Sequence, residues 1–180
     1  MDFAREAAEL LPYIQNHRRH IHQYPELSFR EKETTEYIQK ELESMGIEVI
    51  RFSDYYGLIG VLKGGRAGKT VLLRADIDAL GIREENELDF CSVHARVMHA
   101  CGHDCHSAML LGAAKILSAY RDALKGTVKF LFQSAEESGH GANYYVDHGC
   151  LDGVDAAMAI HMMNEIPEGT FSIEAGPRMA

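Results

Sequence analysis

The chain has 180 residues, of which 46% are hydrophobic, and this is enough for one domain with a substantial core. It has 27 acidic and 18 basic residues, giving a formal net charge of −9, and the basic residues are scattered along the chain. This pattern argues against a nucleic-acid partner, because nucleic-acid binding needs a clustered basic surface. No apolar run reaches the roughly 18 residues of a membrane span, and the charged N-terminus does not resemble a signal peptide. We therefore predict a cytoplasmic protein without a membrane partner.

The first half of the chain reads as two helices followed by short strands. Apolar residues at helical spacing predict a helix over 3–22, broken by Tyr24 and Pro25, and a second helix over about 31–45. Three apolar runs separated by turns are predicted as strands: 47–52, 57–62 and 70–75. Because only turns join these strands, we expect the sheet to be mixed in direction.

The second half of the chain alternates helices with strands. A helix is predicted over about 105–120, with Asp104 capping its first turn. The remaining predicted elements are a strand, a helix and two further strands: 127–133, 141–149, 155–161 and 169–174. This order predicts one α/β domain whose mixed central sheet is flanked by helices.

Ionisable side chains follow three of the predicted strands. The first of these strands is followed by Asp76 and Asp78, the second by Glu136 and Glu137, and the third ends in His161. In open α/β sheets, ligands bind in the crevice outside the carboxyl ends of the strands, because loops converge there. We therefore expect these five side chains to lie near one another.

Residues 99–106, which read His-Ala-Cys-Gly-His-Asp-Cys-His, have the composition of a metal site. Thiolate, imidazole and carboxylate groups are all ligands of zinc and related ions, and clustered Cys and His in a reducing compartment indicate metal binding or catalysis. Gly102 lets the backbone turn until Cys101 and His103 face one ion. A structural alternative stays open, in which Cys101 packs as a small apolar residue and His103 caps the following helix.

The carboxylates and His161 also allow two interpretations. Glu136 and Glu137 can divide the work of a metal centre, one binding the ion and the other exchanging a proton with water, or one can cap a helix while the other is solvated. Asp76 and Asp78, two apart on an extended segment, face the same side, which suits one acid facing an ion and one orienting a histidine. They could instead bind backbone amides in a turn, and His161 could be a core histidine.

Five segments, in this order along the chain, resemble a family of metal-dependent amidohydrolases. The family includes bacterial N-acyl-amino-acid aminoacylases, hippurate hydrolase and plant indole-acetyl-amino-acid hydrolases. The segments are 22–29, 73–80, 98–106, 132–137 and 160–161. The resemblance spans the whole chain and implies a two-metal, zinc-peptidase-like catalytic domain. It also implies that the substrate is an N-acyl amino acid or a short peptide, whose amide bond is hydrolysed.

The resemblance implies roles for individual residues. The residues that match the metal ligands of the family are Cys101, His103, Glu137 and His161. Glu136 matches the general base, which takes a proton from water and delivers it to the leaving amine. Asp76 and Asp78 match an acidic pair that orients the site, and His99 and His106 are interpreted as supporting residues. Two divalent ions are implied, with zinc, manganese, cobalt and nickel as candidates.

The chain also departs from the family. Ser134 and Gly81 stand at positions where proline is usual, which changes loop stiffness more than chemistry. Family members are considerably longer, with an inserted dimerisation domain and one further histidine ligand. We therefore expect residues 1–180 to be a catalytic domain truncated before that insertion. We expect it to be weakly active or inactive alone, with an open sheet edge that favours self-association into a homo-oligomer.

Two other functions stay open at this point. One is a metal-binding fragment without catalysis, for which a general base at Glu136 would be unnecessary. The other is a dipeptidase or an N-acetyl-diaminopimelate-type deacetylase with the same fold, which only a substrate assay separates from an aminoacylase. The acyl and amino-acid specificity is not predicted.

Overall fold

The structure, a computed structural model, describes residues 2–176, and its strands form one mixed sheet. The strands are β1 (Glu48–Arg51), β2 (Leu58–Lys63), β3 (Arg66–Asp76), β4 (Lys125–Gln133) and β5 (Ala156–Ala159). Their order across the sheet is β1-β2-β4-β3-β5. β2 is antiparallel to β1 and β4, whereas β3 is parallel to β4 and β5. The predicted mixed α/β sheet is confirmed.

Helices lie on both sides of this sheet. They are α1 (Phe3–Glu9), α2 (Leu11–Gln23), α3 (Lys32–Ser44), α4 (His103–Ala119) and α5 (Gly141–Asp147). The prediction of one helix over 3–22 is wrong, because the chain divides at Leu10 into α1 and α2. Pro12 is the reason: it has no N–H to donate to the preceding turn, so it fits the first turn of α2 but does not continue α1.

The apolar core is divided between the two faces of the sheet. On one face Phe130 and Phe132 of β4 pack with residues of α3 and α4, such as Ile38 and Leu111. On the other face Leu131 packs in a separate cluster that includes Tyr145 of α5. Successive residues of a strand point to opposite faces, so β4 is buried on both sides, as its apolar sequence predicts.

The last part of the chain differs most from the prediction. Residues 169–174 were expected to form a strand, but they have no strand structure, and Phe171 and Ile173 are 83% and 88% exposed. The predicted strand 155–161 is shorter, because β5 pairs with β3 only from Val71 to Arg74. No helix in the described part of the chain is long and apolar enough to cross a bilayer.

Candidate metal centre

The predicted site residues lie at the carboxyl ends of β3 and β4. These strands run in parallel and end together, with Asp76 of β3 paired to Gln133 of β4. Asp78 lies two residues beyond β3, and a single turn of 3₁₀-helix, Glu136–Ser138, follows β4. His103 is the first residue of α4, which packs against this sheet. Three elements therefore bring their ends to one edge of the sheet.

His103 lies at the centre of the site and is completely buried. Its Nδ1 lies 2.8 Å from the backbone carbonyl of Asp78, which can only accept, so we assign the ring hydrogen to Nδ1. Its Nε2 has no hydrogen-bond partner among residues 2–176 and lies 3.8 Å from a carboxylate oxygen of both Glu136 and Glu137. The free lone pair of Nε2 thus faces these two carboxylates, and a third carboxylate oxygen, Asp76 Oδ2, lies 3.6 Å from the same nitrogen.

Three overlapping groups of side chains around His103 have their potential ligand atoms within 4.8 Å of one another. One group adds Cys101 and His161, and the second adds Glu136 and Glu137. The Cys101 Sγ and the His161 Nε2 are 3.5 Å apart. The third group adds Asp76 and His106. The structure therefore brings together side chains that lie far apart in the sequence.

The third group is a hydrogen-bonded arrangement and leaves no free ligand atom on His106. Its Nδ1 lies 2.5 Å from Asp76 Oδ1, and its Nε2 accepts the Met162 N–H at 2.8 Å. The other oxygen of Asp76 accepts a hydrogen bond from Arg74 at 2.8 Å. Burial would raise the pKa of Asp76, but the hydrogen bond from His106 and the electrostatic influence of the neighbouring His103 and Arg74 side chains outweigh it and hold the pKa at about 2. Asp76 therefore stays ionised.

Asp78 connects the histidine to the glutamates. Its carbonyl binds His103, while its Oδ2 accepts hydrogen bonds from the Ser28 hydroxyl at 2.7 Å and from the Glu137 N–H at 3.0 Å. Burial of Asp78 would raise its pKa, but these hydrogen bonds and the one from the His103 side chain lower it. Asp78 thus contacts both His103 and the turn that carries the glutamates.

The charges at the site fit a divalent cation. Burial raises the pKa of the Cys101 thiol to about 12, and the negative charges of Glu137, Asp76 and Glu136 add to that rise. A cation beside the sulfur would reverse this effect, since a coordinating thiol loses its proton. Nε2 of His103 and Oε1 of Glu137 are buried without a partner in the described residues. Thiolate, imidazole and carboxylate form a suitable set of donors for zinc-like ions.

Asp104 does not cap α4, contrary to the prediction. Gly102, with φ +86°, is the residue that precedes the helix. The Asp104 carboxylate is buried instead, and it accepts hydrogen bonds from Arg18 and His22, each at 2.8 Å. The second nitrogen of His22 binds Glu84 at 2.9 Å. His22 begins the first of the resembling segments, but the sequence alone gave it no function.

The two flanking histidines differ in their surroundings. His106 joins Asp76 to the segment of His161, as described above. His99 is buried, and neither of its ring nitrogens has a hydrogen-bond partner among residues 2–176. Burial lowers the pKa of His99 to about 4, so this ring is neutral near pH 7. Glu31, which was not predicted as a site residue, is a completely buried carboxylate that accepts a hydrogen bond from the backbone directly before Glu136.

Residues 72–176 match the sequence model of Peptidase family M20/M25/M40. The chain is 47% identical to an N-acetyl-L-cysteine deacetylase of Bacillus subtilis, over 91% of this chain and 39% of the relative. It is 44% identical to an N-acyl-L-amino acid amidohydrolase of Geobacillus stearothermophilus, over 91% of this chain and 44% of the relative. It is 45% identical to an IAA-amino acid hydrolase of Arabidopsis thaliana, over 93% of this chain and 36% of the relative.

The fold is similar to that of solved structures. The Bacillus subtilis YXEP protein, described as a dinuclear metal binding peptidase from the same family, superposes with a TM-score of 0.88 and 43% identity. The match covers 92% of this chain and 47% of that protein. The chain thus spans less than half the length of these relatives.

Proposed function

Because this chain belongs to Peptidase family M20/M25/M40, we propose that it forms a metal centre that hydrolyses the amide bond of N-acyl amino acids. The proposed ligands of two divalent ions are Cys101, His103, Glu137 and His161. Glu136 is the proposed general base. The relatives named as an N-acyl-amino-acid amidohydrolase and as deacetylases of N-acetylated cysteine support this substrate class.

The observation that carries this proposal is the geometry around Nε2 of His103. A buried imidazole nitrogen with a free lone pair faces two carboxylates at 3.8 Å, and a thiol and a second histidine belong to an overlapping group of potential ligands. Leaving such groups buried without a partner costs free energy, which binding of a cation would recover. A site that serves only to stabilise the fold would not need an additional carboxylate beside its ligands.

The two glutamates differ in exposure in a way that suits two different functions. The Glu136 side chain is 39% exposed and that of Glu137 is 22% exposed. A bound divalent ion would lower the pKa of water and polarise the carbonyl of the substrate. Glu136 is the more accessible carboxylate, so it can take a proton from the attacking water and return it to the leaving nitrogen. Glu137, held by Asp78 through its backbone N–H, is the better placed ligand.

Asp76 and Asp78 are proposed to position the histidines rather than to react. Each contacts a histidine and a second group, which restricts the ring's rotation. A carboxylate or carbonyl that binds the outer nitrogen of a ligating histidine fixes its tautomer and raises its basicity. Asp78 meets this description through its carbonyl, while its Oδ1 lies 3.3 Å from the same nitrogen, His103 Nδ1, without a hydrogen bond to it.

The replacement Glu136→Gln tests the proposal, because it removes the base and keeps the shape of the side chain. We expect its metal content, measured by elemental analysis after dialysis, to equal that of the wild-type chain. Turnover of a panel of N-acyl amino acids should fall at least about 100-fold, in keeping with the loss of a general base. The control Glu137→Gln should instead lower metal content.

Metal content is compared first, since it does not depend on turnover, and weak turnover is expected from these 180 residues alone. Measurable turnover that is equal in Glu136→Gln and the wild type would contradict the proposal. The assay panel includes dipeptides, because other relatives of the chain are named as thermostable carboxypeptidases. Hydrolysis of dipeptides alone would favour a peptidase over an aminoacylase. The same metal analysis identifies the ion among zinc, manganese, cobalt and nickel.

A further inference from the structure

The turn that presents the two glutamates has a strained backbone. Ala135, directly before Glu136, has φ +56°, in the left-handed region that residues with a Cβ rarely adopt. The residue is completely buried and precedes the short helical turn Glu136–Ser138. Residues persist in such conformations only where their surroundings hold them there. Ala135 therefore needs contacts that hold it in this conformation.

Side chains from three separate parts of the chain bind the backbone of this turn. The Ser134 N–H donates to the Tyr145 hydroxyl at 2.8 Å, and the Glu137 N–H donates to Asp78 at 3.0 Å. Between them, the N–H of Ala135 itself donates to the Glu31 carboxylate at 2.8 Å. Only the last of these bonds is made by the N–H of the strained residue, whose carbonyl accepts local hydrogen bonds from the Ser138 hydroxyl at 2.7 Å and the Gly141 N–H at 3.2 Å.

The position and burial of Glu31 suit its hydrogen bond with the Ala135 N–H. It directly precedes α3, is completely buried, and lies 104 positions from Ala135 along the chain. Burial of a carboxylate is costly unless hydrogen bonds compensate it, and burial raises the pKa of Glu31 accordingly. A hydrogen bond from a backbone N–H to such a buried oxygen is strong, because little water competes for it.

We propose that Glu31 is a positioning residue that holds Ala135 in its left-handed conformation and thereby directs Glu136 and Glu137 towards His103. The proposal rests on the proposed function only for the roles of the two glutamates. Without the Glu31 oxygen, the Ala135 backbone can relax to a negative φ, and a rotation there moves the carboxylates that follow it. Metal binding and general-base catalysis then weaken together.

The test uses three variants of the whole chain and a matched control. Glu31→Ala removes the acceptor, whereas Glu31→Gln keeps an oxygen that can accept the Ala135 N–H. The double variant Glu31→Ala with Ala135→Gly removes the acceptor but makes the positive φ accessible, since glycine adopts it without strain. The control, Glu33→Ala, removes the same charge from the first turn of α3 at an exposed position.

The first readout is binding of Co²⁺, followed through the absorption of the cobalt complex. We expect Glu31→Ala to bind Co²⁺ at least about tenfold more weakly, as is typical when a group that orients ligands is lost. Glu31→Gln and Glu33→Ala should stay within about threefold of the wild type, and the double variant should regain most of the lost affinity. The second readout is hydrogen exchange of the Glu137 amide, which keeps its acceptor Asp78 in every variant and should exchange faster only in Glu31→Ala, where the turn is displaced.

Each outcome supports or overturns the proposal. Unchanged affinity and exchange in Glu31→Ala would overturn it, and so would failure of Ala135→Gly to restore either of them. If Glu31→Ala does not fold, the double variant decides: folding with near-normal Co²⁺ affinity supports the proposal, and failure to fold overturns it. Failure of the proposed function would give a different result. Glu136→Gln would then keep full turnover, while Glu31→Ala would still bind Co²⁺ more weakly than the wild type.

Discussion

His106 connects two segments of the site through its two ring nitrogens. Nδ1 donates to Asp76 at the end of β3, and Nε2 accepts the N–H of Met162, the residue after His161. The rings of His106 and His161 are 4.7 Å apart. The segment 160–163 lies beyond β5, and the bond from Met162 to His106 ties it to the site and helps to fix the position of His161.

The two functions of the His106 ring can be separated by substitution. Gln places an amide near the position of Nε2 and can still accept the Met162 N–H, whereas Asn is too short and can only reach Asp76. We therefore expect His106→Asn to weaken Co²⁺ binding by roughly tenfold or more and His106→Gln to weaken it less. The measurement is a titration followed by absorption, with the exposed His148→Asn as the control. Equal affinities of the Asn and Gln variants would contradict this role.

His22 and Glu84 form a buried ion pair whose contribution to stability depends on pH. Hydrogen bonds to Asp104 and Glu84 raise the pKa of His22. Burial would raise the pKa of Glu84, but the hydrogen bond from His22 outweighs it and lowers the pKa to about 2. The contribution of Glu84 to the free energy of unfolding is thus present above its ordinary pKa and is lost as pH falls towards 2. The contribution of His22 to the free energy of unfolding is present below its ordinary pKa and is lost as pH rises through its raised pKa.

The pair should therefore stabilise the fold most between the ordinary pKa values of Glu and His, about 4.5 and 6.5. We expect Glu84→Gln to lower the free energy of unfolding by on the order of 2 kcal/mol in this window and by less on either side. Urea unfolding at a series of pH values measures this difference. Glu87→Gln, in the same loop at an exposed position, is the control. A difference that does not vary with pH would argue against the pair.

At the scale of elements, the start of α4 depends on one glycine between two proposed ligands. Gly102 has φ +86°, and a Cβ added there would lie 2.9 Å from the Met162 Cβ, which is too close. Gly102 therefore allows both the turn between Cys101 and His103 and the close approach of the segment that carries His161. The first of these functions is predicted from the sequence, whereas the second depends on packing between distant segments.

Gly102→Ala should weaken Co²⁺ binding and lower the free energy of unfolding by more than the roughly 1–2 kcal/mol that a left-handed alanine costs. Gly153→Ala is a matched control, since Gly153 has φ +68° but nothing within 4 Å of an added Cβ. The difference between the two variants isolates the crowding against Met162. If the two variants lose the same free energy of unfolding and Gly102→Ala binds metal normally, an added Cβ at position 102 does not crowd Met162. That result would contradict the prediction.

The elements near the site were predicted to different degrees, for physical reasons. The apolar run of β4 could be placed because it is buried on both faces, and the motifs around Cys101 and Glu136 could be placed through their resemblance to a family. The contacts of Glu31 and Asp104 could not be predicted, because each depends on packing between residues more than 80 positions apart. Residues 169–174 have the alternation of a strand, but alternation does not reveal whether a partner strand is present.

At the scale of the whole molecule, β5 is the last strand at one edge of the sheet, and no strand formed by residues 2–176 pairs with its outer side. All four of its residues are exposed, Met158 is 58% exposed, and the apolar side chains of Ile160 and Met162 continue this surface. Exposed strand edges with apolar side chains pair readily with other chains. We name this surface, formed by residues 156–162, the β5 edge.

We expect the chain to self-associate through the β5 edge as its concentration rises. The double variant Met158→Lys with Ile160→Lys should shift the association to at least about tenfold higher concentration, because charges on an edge strand oppose pairing. Sedimentation velocity over a range of concentrations measures the effect. Val93→Lys, at an exposed position outside the sheet, is the control. A wild-type chain that stays monomeric throughout this range would contradict the prediction.

The order of strands also has a consequence for how the chain assembles. β2 and β3 follow one another in the sequence, but β4 lies between them in the sheet. A hairpin of β2 with β3 would therefore be a non-native state, and it would have to open before β4 could enter. During synthesis the ribosome releases β4 only after both of its neighbours, so the sheet cannot close until then. The glutamates follow β4 directly, so capture of a metal ion would report that this late insertion is complete.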